Sequence, residues 1–68
     1  MKIEITVKRS DGKGTFTQAF EQNEKGQWTA FFNGEDIGKA LEEDVIHFVK
    51  KHDRKNLHKY FPMAGFHM

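Results

Sequence analysis

Residues 28–45, WTAFFNGEDIGKALEEDV, contain the point at which the chain passes from strand to helix. Trp28-Thr29-Ala30-Phe31-Phe32 is aromatic and reads as a strand over 28–32. Asn33-Gly34 admits two readings. It is the strongest short hairpin signal, in which Glu35-Asp36-Ile37 return as a brief fourth strand. In the other reading, Asn33 caps a helix whose first turn holds Glu35 and Asp36. Gly38 would cost about 1 kcal/mol inside a helix, which tips the choice towards the hairpin. From Lys39 the period lengthens. Leu41, Val45, Phe48 and His52 fall on one helical stripe that Val49 widens, with Glu42, Glu43, Lys50 and Lys51 on the solvated side. The expected helix covers about 39–53, its stripe packed on Ile3, Ile5 and Val7.

Upstream, Lys2-Ile3-Glu4-Ile5-Thr6-Val7-Lys8 alternates polar and apolar, so a strand over 2–8 turns Ile3, Ile5 and Val7 to one face. Ser10 to Gly14 is a turn by composition. Alternation resumes over 15–20, and Glu21 to Gln27 is a second turn. Short connections join neighbours in space, which predicts an antiparallel meander. Its outer face should present Lys2, Glu4, Thr6, Lys8, Thr15, Thr17, Thr29 and Phe31. Downstream, Asp53-Arg54-Lys55-Asn56 ends the helix, residues 57–61 form one more turn or short helix, and the tail 62–68 is apolar for a terminus. The fold class is therefore α+β in one domain, 1–68. A three-stranded sheet, or four-stranded if Asn33-Gly34 turns, precedes one C-terminal amphipathic helix and an apolar tail.

A chain of 68 residues has room for one core. It buries only about 60% of the surface its unfolded form exposes. Its stability should be roughly 3–10 kcal/mol on the usual per-residue scale. Cysteine is absent, so disulfides are excluded, while seven Phe, one Trp and one Tyr supply large apolar area. The expected core is Phe16, Phe20, Trp28, Phe32 and Phe48. No apolar run approaches the ~20 residues of a membrane span. Polar alternation from Lys2 does not read as a signal peptide, and a cytoplasmic protein without a membrane partner is expected.

The candidate chemistry is thin. His47 and His52 are spaced to diverge on a helix, and His58 and His67 stand apart, so no metal site is expected. Glu43 or Asp44 with His47 makes a single carboxylate–imidazole pair. Serine occurs at Ser10 alone, in a turn, and there is no thiol. No catalytic residue, enzyme activity or cofactor is therefore expected. Asp11-Gly12-Lys13-Gly14 has the ingredients of an anion-cradling loop but lacks the phosphate-loop spacing and joins two strands. Gly26-Gln27-Trp28-Thr29-Ala30-Phe31-Phe32, followed by Lys39-Ala40-Leu41-Glu42-Glu43, resembles the strand-then-helix half of HicB-type antitoxin domains. The likeness covers under half of the chain, and the segment between the two stretches departs from that pattern, so no family is assigned.

Net charge is only +1, from 11 basic and 10 acidic residues, but its distribution is uneven. Residues 35–44 are acidic, whereas Lys50, Lys51, Arg54, Lys55 and Lys59, with Tyr60, form a basic segment able to meet phosphates and stack bases. Acid at a helix start and base at its end is also what the helix dipole favours. Arginine, the residue that best matches guanine and phosphate, occurs only as Arg9 and Arg54. Tyr60, Phe61, Pro62, Met63, Phe66 and Met68 make the end of the chain adhesive, and Phe61 and Phe66 are expected to dock on an apolar surface in cis or on a second copy. Two functions follow. The first is a small non-enzymatic protein-interaction module (regulator, inhibitor or assembly factor) that pairs with another protein or with itself as a homodimer. The alternative is a nucleic-acid-binding domain using residues 50–60.

Overall fold

The computed structural model describes residues 1–62. Strand β1 (Lys2–Lys8) follows the alternation of its sequence, with Ile3 and Ile5 buried, Val7 half-buried and the even-numbered residues exposed. It pairs antiparallel with β2 (Thr15–Gln22), placing Ile3 opposite Phe20 and Val7 opposite Phe16. β2 runs past the expected Phe20, because the Gln22 amide donates to the Met1 carbonyl at 2.8 Å and Gln22 faces Trp28 on the next strand. Strand β3 (Trp28–Phe32) completes the part of the meander that composition alone predicts.

Asn33-Gly34 is a hairpin turn, not a helix cap. Asn33 has φ 49° and Gly34 φ 89°, the left-handed pair that a two-residue turn between twisted strands needs. The Asn33 amide donates to the Thr17 carbonyl at 2.8 Å. Its side-chain oxygen accepts the Thr17 N–H at 2.9 Å, so the turn is also fastened to β2. The returning strand β4 (Glu35–Ala40) is longer than the expected 35–37. It contains a bulge: Ala30 faces Gly38 while Phe31 faces Asp36, which leaves Ile37 unpaired. Gly38 takes φ 106° there, and its N–H donates to the Asp36 carboxylate at 2.8 Å. The sheet order is β1-β2-β3-β4.

Because Lys39 and Ala40 belong to the ladder, helix α1 spans Glu42–His52 and does not begin at Lys39. Leu41 is its extended N-cap, φ −84° and ψ 146°, and its carbonyl accepts from the Asp44 and Val45 amides. It therefore leaves the expected stripe and is 62% exposed. His52 is exposed as well, its ring 4.5 Å from that of Phe48. The helical part is not a single element. Asp53 breaks α1, the Asn56 side-chain amide donates to both Asp53 carboxylate oxygens at 3.0 Å, and a 3-10 turn (Arg54–Asn56) leads into α2 (Leu57–Tyr60). Among the described residues, no helix is long and apolar enough to cross a membrane.

The helices cover one end of the inner sheet face. There Ile3, Ile5, Phe20, Trp28 and Ala30 meet Val45, Val49, Leu57 and Phe61, with Phe48 packed half-buried against them. Phe61 lies 5.8 Å from Trp28 and Phe48 5.6 Å from Phe20, ring centre to ring centre. Phe16 and Phe32, expected in this core, are outside it: Phe16 is half-buried and Phe32 is 41% exposed. The reason is length. An 11-residue helix is only about 16 Å long, whereas the eight-residue β2 extends about 26 Å.

Leu57, 1% exposed, is the apolar anchor of α2. Leu57→Ala should cost about 2–5 kcal/mol, a large share of the stability of so short a chain. Phe48→Ala should cost less, since part of its ring already meets water. Urea titrations would measure both, and a reversed order would contradict this packing.

Candidate interaction surface

The inner face that α1 leaves open ends in two phenyl rings. Phe16 is held on β2 next to the first turn, and Phe32 on β3 next to the Asn33-Gly34 turn. Gln18 faces Phe32 across the ladder, so Phe16 and Phe32 lie diagonally on one face. Their ring centres are 5.4 Å apart at an interplanar angle of 33°. With Arg9, Ser10 and Asp11 they line a cleft of about 310 Å³. Its rim carries both signs of charge, since an Arg9 guanidinium nitrogen lies 3.3 Å from an Asp11 carboxylate oxygen. That pair is exposed and contributes little to stability. The Asp11 side chain also accepts the Lys13 N–H at 2.9 Å, which shapes the turn bordering the cleft. An apolar floor with a mixed-charge rim suits an apolar side chain flanked by polar ones.

Phe16 and Phe32, expected in the core, lie instead at the end of the sheet opposite Phe20 and Trp28, and both pairs flank turns, so nearness to a turn does not tell them apart.

The basic residues gather at another corner. Lys50 and Lys51 occupy the last turn of α1, Arg54 and Lys55 the 3-10 turn, and Lys59 lies on α2, all of them exposed. The ion pairs of the described residues, Lys2–Glu4 and Arg9–Asp11, involve none of these five. Helix α1 carries Glu42, Glu43 and Asp44 in its first turn, so its charges are also dipole-matched. Tyr60 is half-buried, and Phe61 is spent on Trp28 within the chain itself. Phe66, like the rest of the tail beyond Pro62, lies outside the described residues.

Among the described residues, no three His, Asp or Glu side chains come together in a way that could hold a metal ion. A second cleft of about 330 Å³ is lined by Gly26, Gln27, Trp28, Lys39, Ala40, Leu41 and Glu42. Trp28 is 2% exposed, and its indole N–H has no hydrogen-bond partner among the described residues. The outer sheet face presents Lys2, Glu4, Thr6, Lys8 and Thr15 fully and Thr17, Thr29 and Phe31 in part, with Ala19 buried between them. Comparison of the chain with protein families, with curated proteins and with solved structures found no match.

If the aromatic cleft is a surface and not a piece of core, Phe32→Ser should cost about 1–3 kcal/mol, from the lost aromatic pair and the part of the ring that is buried, and should leave the chain folded. Phe20→Ser should unfold the chain. Thermal melts of the two variants provide the check, and a Phe32 variant as damaged as the Phe20 one would place Phe32 in the core.

Proposed function

We propose that this chain is a small non-enzymatic protein-interaction module whose cleft takes an apolar side chain from a protein partner. The observation carrying this reading is the Phe16–Phe32 pair, two aromatic rings on the inner sheet face with no helix of the described residues over them. A short domain has few large apolar groups, and leaving two of them partly in water forgoes stability that their burial would supply. A partner segment seated in the cleft recovers that burial, and the Arg9–Asp11 rim supplies polar contacts around it.

The second reading, a nucleic-acid-binding domain, is favoured by the corner formed by Lys50, Lys51, Arg54, Lys55 and Lys59. These cations are exposed and have no acidic partner within ion-pair distance among the described residues.

Two experiments separate the readings. With p-benzoylphenylalanine in place of Phe32, ultraviolet irradiation in cells should give a discrete protein adduct. The same group in place of Lys25, in the turn at the other end of the sheet, should give none. Absence of an adduct at position 32 would sink the cleft. For the alternative, changing Lys50, Lys51 and Lys55 to Gln should flatten the salt dependence of duplex DNA binding by roughly 0.9 per lost phosphate contact. An unaltered slope, or no retention of the parent on DNA at moderate salt, would retire it.

A further inference from the structure

The two edges of the sheet are built differently. β4 is interrupted by the bulge at Ile37, twisted at Gly38 and acidic at Glu35 and Asp36, all features that discourage another strand from pairing. β1 has no bulge or glycine, and the charges along its edge, Lys2, Glu4 and Lys8, are of both signs. It is a regular seven-residue strand without proline, glycine or register shift. Its odd-numbered residues bond to β2, as the bonds flanking the strand show: the Gln22 amide to the Met1 carbonyl at 2.8 Å, and the Arg9 amide to the Gly14 carbonyl at 2.9 Å. Backbone groups alternate along an antiparallel strand, so those of Lys2, Glu4, Thr6 and Lys8 point away from the sheet.

We propose that β1 pairs antiparallel with β1 of a second copy, about a twofold axis at Thr6, making one continuous eight-stranded sheet. Charge and length of overlap together select the register. Centred on Ile3, Glu4 would face Lys2 of the second copy, but only residues 2–4 of each strand would pair. Centred on Glu4, the strands would oppose two glutamates. Centred on Ile5, they would oppose Lys2 to Lys8 at both ends. Centred on Thr6, Glu4 faces Lys8 of the second copy and Lys8 faces its Glu4, while the two Thr6 residues exchange backbone hydrogen bonds. In the same register Val7, half-buried in the single chain, meets Ile5 of the second copy on the inner face. The strand is thus self-complementary, as an isologous interface requires. This edge adjoins the Phe16–Phe32 cleft at Arg9 and Ser10, which the register sets beside Ile3 and Lys2 of the second copy, but its pairing is argued from β1 alone and stands whether or not the cleft binds a partner.

Sedimentation equilibrium on the full chain tests it, with circular dichroism melts to show that each variant folds. The parent should form a dimer. Glu4→Lys and Lys8→Glu should each weaken it roughly tenfold or more, because each places like charges opposite one another twice. An equimolar mixture of the two variants should associate again, since every facing pair is then of opposite sign. In the parent, raising the concentration should slow hydrogen exchange at the Glu4, Thr6 and Lys8 amides and leave the exposed turn amides unchanged. A parent that stays monomeric, a dimer indifferent to either substitution, or a mixture that fails to associate would each overturn the proposal.

Discussion

The turn at Asn33-Gly34 is the constraint from which the rest of the architecture follows. Two consecutive left-handed residues reverse the chain tightly enough for Glu35 to Ala40 to run back along β3. Asn33 adds its side-chain oxygen to the Thr17 amide, so the reversal is anchored to β2 as well as β3. With residues through Ala40 committed to the ladder, the helix can start only at Glu42. It is then too short to span the inner face, and Phe16 and Phe32 are left at the uncovered end. A different pair of residues at the turn would change the reach of the helix and the extent of the apolar surface together.

Stability at the covered end depends on elements distant in sequence closing on one another. Ile3 from the first strand, Trp28 from the third, Val45 and Val49 from the helix and Leu57 and Phe61 from the chain's second helical segment share one cluster. No disulfide holds it, and the described ion pairs are exposed, so burial of apolar area carries most of the energy. The hydrogen bonds made by side chains lie mainly in the turns, around Asp11, Asn23, Asn33 and Asp36. Polar groups thus set where the chain reverses, and apolar groups set what it folds around.

Much of this was legible in the residues. The alternation of β1, the turn composition after Lys8 and the Val45–Val49 stripe each have one natural reading, and each is local. What was illegible depended on competition between elements. Lys39, Ala40 and Leu41 suit a helix, yet the ladder to Thr29 and Trp28 claims Lys39 and Ala40, and Leu41 becomes a cap. The bulge at Ile37 depends on Gly38 and on the Asp36 side chain, a local chemistry that a period-two pattern does not reveal. The surfaces were harder still. An exposed phenylalanine and a core phenylalanine look alike in sequence, and only the reach of α1 distinguishes Phe32 from Phe20. Lysines 50, 51, 55 and 59 were easy to find because charge reads directly from composition, but their clustering serves a dipole as well as it serves a ligand.

Trp28 gives the molecule a built-in optical reporter. It is the sole tryptophan, it is buried, and no described group hydrogen-bonds its indole nitrogen. An indole in so dry a setting emits at shorter wavelength than one in water, so intrinsic fluorescence follows the covered end of the sheet without any label. Its neighbour Phe61 arrives from near the end of the described chain. The emission therefore registers the moment at which the second helical segment closes over the sheet. Backbone circular dichroism registers the strands and helices themselves. Followed together after rapid dilution from denaturant, the two signals resolve whether the meander forms before its lid or only with it.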